Sequence, residues 1–344
     1  MAKNLLDLLD GMAPAVQEAF LQVIADKKSD VQLATLIKAI RASDTEAVVR
    51  ILALGQEYFM PLDAMLREAQ TAGAGFALEE FKRKAKRAGL NAVARFDGRN
   101  LRAESFLRNQ SSKLITRIST DTRDITRDIL RAAMEQGRGP KSVALDLVGR
   151  YDRLAGRRVG GIIGMTPGDV EASKRALEQL RSGDPKELRK YLRRGLRNKS
   201  YDQMVIRAIK DKKPVPADMA RKIVARYEDK LLFSRGETIA RTELLQSLHA
   251  SQDEAFQQLY DDGKLTPDQV TSTWDAAQDA DTRASHRFMD DQVQATDGTF
   301  TTGAGYRMRY PGDSSLGAPA SEIVNCRCRV RKNIDFIKGL KPGD

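Results

Sequence analysis

Residues 101–136 read LRAESFLRNQSSKLITRISTDTRDITRDILRAAMEQ, and this stretch decides the fold class. Leu107, Leu114, Ile118, Thr122, Ile125 and Ile129 step by threes, fours or sevens with polar residues between them. That is the period of one α-helix face. The stripe reads as a coiled-coil-like seam, weakened by Thr122 and the many serines and threonines, or as one face of a helical bundle. A functional use would be a docking helix for a large ring or shell. Gly137-Arg138-Gly139-Pro140 ends the stretch, which makes it the longest candidate helix.

Helix continues on both sides. Downstream, Thr166-Pro167 with Asp169, and Asp184-Pro185 with Glu187, each place a capping oxygen, a first-turn proline and a carboxylate able to cap back. Gly160, Gly161 and Gly164 lack the lysine and the Gly-Lys-Ser/Thr order of a P-loop, and read as a tight connection between helices. From about Ala217 to Asp262 a second long apolar face runs through Val224, Leu231, Leu244, Leu248 and Phe256, with Gly236 as a candidate break. Upstream, residues 1–56 read as short amphipathic helices, Pro61, Gly73 and Gly75 as breaks, and 76–90 as a basic helix.

The texture changes after Val270. Val270–Trp274, Phe300–Thr302, Tyr306–Tyr310 and Cys328–Arg331 are strand-like, and glycine, proline and aspartate fill the gaps. The expected fold is mainly α, with elongated helical N-terminal and middle regions followed by a small α+β C-terminal domain. The expected divisions are a helical region at 1–100, a long-helix region at 101–264, the small module at 265–336 and a loose tail at 337–344.

Composition agrees. The 344 residues are 41% apolar and 31% charged, a soluble globular balance with no membrane-length apolar run. Met1-Ala2-Lys3-Asn4-Leu5 has no signal-peptide core, so the expectation is use without Sec export. The formal net charge is +11. Basic residues cluster at Lys82, Arg83, Lys84, Lys86 and Arg87, and again at Arg189, Lys190, Arg193, Arg194, Arg197 and Lys199. Either run reads as a solvated helix face or as a phosphate-attracting patch. Tyr191 alone is aromatic within these runs, too little for a base-stacking platform, and no zinc-finger spacing occurs, so the expected contact is non-specific, with double-stranded DNA or an acidic protein surface.

The chain has two cysteines, Cys326 and Cys328, one residue apart, and two histidines, His249 and His286. A disulfide across that gap would be strained and close a trivial loop. One imidazole and two thiolates are three of the four donors a structural zinc takes, with Asp281, Asp279 or Asp313 available as the fourth. The bland alternative is two small buried thiols, with His286 hydrogen-bonded to a carboxylate. His249 reads as a partly exposed or hydrogen-bonded helical residue. Catalytic patterns are weaker: the His-x-Glu and Pro-Cys-x-x-Cys strings of a zinc deaminase are absent from the sequence. A Cys–His nucleophile has no recognisable turn, and Asp290-Asp291 reads as surface.

Ala240-Arg241-Thr242-Glu243, then Trp274 with Asp281-x-Arg283-x-x-His286, then Tyr310-Pro311-Gly312-Asp313, then Asn325-Cys326-Arg327-Cys328, together resemble the module of tailed-phage minor head (head morphogenesis) proteins typified by protein F of phage Mu. Upstream pieces at Gly156-Arg157-Arg158, Gly161–Gly164 and Ser182–Pro185 extend the resemblance to about 150–330. It implies a minor capsid protein, several copies per particle, inside the head near the portal vertex. Its partners would be the portal and other head proteins, and its role would be in head assembly and DNA packaging or delivery. It also implies a metal or structural site on His286, Cys326 and Cys328. Asp290-Asp291 replaces the His-Gly-like turn expected after the histidine. The rival expectation is a virion-carried metal-dependent nuclease or cell-wall hydrolase using the same residues.

Overall fold

The computed structural model describes residues 4–338. The chain is mainly α, with a small α+β region toward its C-terminus. In order, the elements are α1 (Leu5–Asp30), α2 (Leu33–Arg41), α3 (Thr45–Leu52), α4 (Met60–Arg87), α5 (Leu101–Glu135) and α6 (Pro140–Val148). A hairpin of β1 (Arg150–Asp152) and β2 (Arg157–Val159) precedes α7 (Pro167–Arg181), α8 (Pro185–Leu192), α9 (Asp202–Asp211) and α10 (Ala217–Asp261). Then come β3 (Val270–Asp275), α11 (Ala284–Arg287), β4 (Val293–Ala295), β5 (Phe300–Thr301), β6 (Arg307–Met308), α12 (Ala320–Ile323) and β7 (Arg329–Ile334). The expected tail from 337 lies, beyond Lys338, outside the described residues.

Two compact units emerge, and neither is a continuous stretch. One gathers Met1–Gln17, Leu62–Ser111 and Glu237–Asp344; the other gathers Glu18–Pro61 and Ser112–Gly236. The expected linear divisions at 100 and 264 are not the seams of these units.

In the first unit, α4 and α10 share a core of Ala74, Ala77, Leu78, Phe81, Phe256 and Leu259, extended by Leu265 and Val270. Gly73 and Gly75 do not break α4, and Pro61 sits in its first turn, where a missing N–H costs nothing. Gly73 has a packing reason: a Cβ there would sit 2.3 Å from Ser251 Oγ and 2.7 Å from the Leu248 carbonyl of α10. The three-stranded sheet has the order β4–β3–β7, antiparallel throughout. Val270 pairs with Ile334 and Asp275 with Arg329, which carries Cys328 to the end of β3. β5 pairs with β6, Phe300 opposite Met308.

In the second unit, the α5 residues Leu114, Ile118, Thr122, Ile125 and Ile129 are buried, and so is Leu107 in the first unit. The stripe is therefore a bundle face; it is not free for docking. α5 is also not the longest helix: α10 spans 45 residues against its 35, and Gly236 lies inside α10 without splitting it. The N-terminal stretch likewise opens on one 26-residue helix, with Pro14 inside it, before the two short ones.

Thr166 caps α7 as expected, accepting from the Asp169 N–H while Asp169 accepts from the Thr166 N–H. Asp184 caps α8 at the Lys186 N–H, but Glu187 turns to Lys190 instead of capping back. The glycine turn after β2 forms a small concavity of N–H groups. The Gly160 N–H donates to Asp229 and the Gly161 N–H to Glu228, both at 2.9 Å. Both glycines have positive φ. Carboxylates of α10 thus occupy the positions an anion would take, and no phosphate loop is present there. Burial pulls the Lys28 amine down to about 8 against the attraction of Asp229 and Glu228, and Lys28 donates to the Gly160 carbonyl at 2.8 Å.

Candidate metal centre

The pointed chemistry lies in the first unit, where β3 and β7 end side by side. β7 begins one residue after Cys328, so its pairing to β3 fixes that sulfur in space. Asn325 takes a left-handed φ of 55°, which asparagine tolerates, and turns the chain between α12 and Cys326. The turn is anchored on α10: the Asn325 N–H donates to Thr242 Oγ1 at 3.2 Å. Arg283 holds the same loop from the other side by donating to the Val324 carbonyl. α11 lifts His286 into the gap, and Trp274 meets the imidazole edge-on at 5.5 Å between ring centres.

The result is one buried cluster. His286, Cys326 and Cys328 are each exposed by 2% or less. His286 Nδ1 lies 3.4 Å from Cys326 Sγ and 3.5 Å from Cys328 Sγ, and the candidate donor atoms all fall within 4.8 Å of one another. The Cys328 N–H also points to Cys326 Sγ at 3.4 Å. The two thiols share protons unequally: the hydrogen bond between them favours the thiolate at Cys328 and pushes Cys326 well up. A soft thiolate pair with an imidazole nitrogen suits zinc and similar ions, so the residues present fit a metal. Among the described residues no further cysteine, histidine, aspartate or glutamate joins this donor set.

The expected fourth donor fails. Asp281 is 82% exposed at its side chain and lies 3.3 Å from an Arg327 nitrogen, while Asp279 lies 2.7 Å from the other. Arg327, sitting between the cysteines, draws both carboxylates outward. Asp313 is buried but spent on the backbone N–H and guanidinium of Arg309 and on the Ser315 N–H. The carboxylate that does approach is Glu322, which the sequence does not single out. Its Oε2 lies 3.0 Å from His286 Nε2, on the opposite side of the ring from the sulfurs. Nε2 has no formed hydrogen bond among the described residues, and this carboxylate oxygen stands beside it. No spacing rule marks Glu322; only the short turn of α12 points it inward.

Asp290 accepts from the Ala276 N–H at 2.8 Å, and Asp291, at φ 60°, donates its N–H to the Trp274 carbonyl. The departure after the histidine thus ties the loop back to β3. His249 is fully buried on α10 and stacks on Tyr310 at 6.2 Å, so the expected partial exposure is wrong. Neither ring nitrogen makes a well-aligned hydrogen bond among the described residues, although Gln252 and the Cys328 backbone lie beside the ring.

The two basic runs differ in how much of their charge is free. On α4, Lys82 pairs with Glu79 and Lys84 with Glu80, while Arg83, Lys86 and Arg87 are exposed without an ion pair among the described residues. In the second run, Arg189 and Arg193 are exposed. Arg194 instead bonds Gln179 and stacks on Tyr227, and Arg197 makes a two-pronged contact with Asp202. Arg194 and Arg197 are therefore committed to the fold, which takes them out of the expected contact surface. Among the described residues, no helix is long and apolar enough to cross a membrane. Comparison with protein-family models, with curated proteins and with solved structures found no match to this chain.

Proposed function

We propose that the chain is a minor head protein of a tailed phage. It would sit inside the head at the portal vertex in several copies, and touch the packaged DNA without sequence preference. Its C-terminal region would be pinned by a zinc ion on His286, Cys326 and Cys328. One observation carries the reading: the short motifs behind the family resemblance, scattered from Ala240 to Cys328, converge. Thr242 receives the Asn325 N–H. Trp274 faces His286, which faces both sulfurs. Tyr310 stacks on His249 of α10, and Gly312 packs over the Gln246 backbone of the same helix.

Burial favours a structural role over the enzyme alternative. A catalytic zinc keeps an open position for water or substrate, whereas these donors are almost wholly enclosed. When bound, zinc supplies a cross-link between α11 and the turn before β7. The rest is done by the chain: Thr242 fixes the turn, Trp274 shields the ring and Arg327 keeps the outer carboxylates away.

Position in the particle tests the reading. Cryo-electron microscopy of particles assembled with and without the chain should show added density on the inner side of the portal vertex. Density in the outer shell or tail, or particles that never contain the chain, would overturn it. For the metal, elemental analysis of the purified chain should find about one zinc per molecule. His286→Ala and Cys328→Ser should each lose it.

A further inference from the structure

Beside the thiol–imidazole cluster stands one buried carboxylate that is not a candidate ligand. Glu322 is 6% exposed, and its carboxylate lies against the ring nitrogen that faces away from the sulfurs. An imidazole with one nitrogen toward a metal carries its proton on the other, and what stands there decides which tautomer exists. Here Nδ1 is turned to Cys326 and Cys328, so with an ion on that side Nδ1 would be the ligand atom and Nε2 would carry the proton. Nε2 is buried and lacks a formed hydrogen bond among the described residues, with Glu322 Oε2 3.0 Å away. Buried N–H groups are rarely left without an acceptor.

The carboxylate is itself held in place. Ser285, one residue before the histidine, donates its hydroxyl to the same Oε2 at 2.9 Å. The Glu322 N–H donates to the Pro319 carbonyl at the start of α12. Acceptor and ring are thus fixed from neighbouring positions on α11 and α12. We propose that Glu322 is the positioning residue of this centre: it selects the Nε2–H tautomer of His286 and aims Nδ1 at the ion held by the two thiolates. This rests on the metal reading above, and it adds a fourth residue that touches no metal.

The test uses the full chain with Zn(II) and Co(II) alone as probes. Glu322→Gln keeps the size of the side chain and an acceptor oxygen but removes the charge; Glu322→Ala removes both. Competition against a chromophoric chelator should show zinc affinity falling about 10-fold in the glutamine variant and approaching about 100-fold in the alanine variant. The cobalt-thiolate absorption should persist in both, because the sulfurs are untouched. Nitrogen-15 spectra of the metal-free chain should show Nε2 protonated in the parent and a mixture of tautomers in Glu322→Ala. Ser285→Ala, which leaves the carboxylate but removes its tether, should move affinity in the same direction by less. If the parent binds cobalt through thiolate and the glutamine and alanine variants match its affinity and tautomer, the positioning role is wrong while the metal site stands. If the parent shows no cobalt-thiolate band at all, the metal reading fails first and takes the role of Glu322 with it.

Discussion

His249 makes the stability of the fold depend on pH. Burial pulls its pKa down to about 4. An unfolded histidine takes up its proton near about pH 6.5. Between those values the unfolded chain binds more protons than the folded one, so stability falls as pH falls. The contribution is whole above about pH 6.5 and lost toward about pH 4, on the order of 3 kcal/mol across the window. His249→Phe, which can keep the stacking on Tyr310, should remove that slope. Denaturant midpoints at neutral pH and near about pH 4.5 check it: the parent should lose more than the variant, and equal losses would refute the assignment. At this scale the sequence was legible where residue types are scarce. His286, Cys326 and Cys328 stood out because the chain has so few of them. Asp281 and Glu322 did not sort themselves, because both are common acids, and only the guanidinium of Arg327 and the turn of α12 decide which faces in. The same holds for charge. Both basic runs were visible, but the commitment of Arg197 to Asp202 needs a fold to be seen.

Among elements, helices with explicit end chemistry were the most readable. Thr166 and Asp184 start α7 and α8 where their spacing says they should, because a capping oxygen and a following proline act within one turn. Glycine misleads in α4 and α10, since a glycine weakens a helix by only about 1 kcal/mol and packing readily offsets that. Two glycines of α4 make opposite forecasts. Gly73 lies against α10 with no room for a methyl, so Gly73→Ala should cost about 1–3 kcal/mol. A methyl at Gly75 would meet nothing within 4 Å, so Gly75→Ala should stabilise by up to about 1 kcal/mol. Thermal denaturation of the pair is the measurement. Stabilisation by both would mean that α4 does not approach α10 this closely. The strands after Val270 were legible from their residue types, but their order was not. That β3 lies between β4 and β7 depends on pairings across some sixty residues, beyond the reach of local pattern.

For the molecule as a whole, the +11 charge is real but unevenly available. The duplex DNA affinity proposed above should fall steeply with added salt. Replacing Arg83, Lys86 and Arg87 by alanine should reduce the slope of log affinity against log salt by up to about 3. Replacing Arg194 or Arg197 should lower the melting temperature and leave that slope nearly unchanged. A triple variant with an unaltered slope would remove α4 from the proposed DNA-contacting surface. The discontinuous make-up of the two units was not legible in the sequence, because composition changes along the chain while the seams follow contacts between distant segments. That make-up also gives the protein a convenient optical asymmetry. The chain has a single tryptophan, Trp274, wholly buried in the first unit and edge-on to His286. Intrinsic emission excited at long wavelength therefore watches one unit and is blind to the other, whereas backbone dichroism sees both. Loading with Co(II) should quench that emission strongly, and zinc should leave the chain bright. Stripping the metal should lower the fluorescence-detected melting temperature. An indole placed beside His286 would make occupancy of the proposed centre readable without a label.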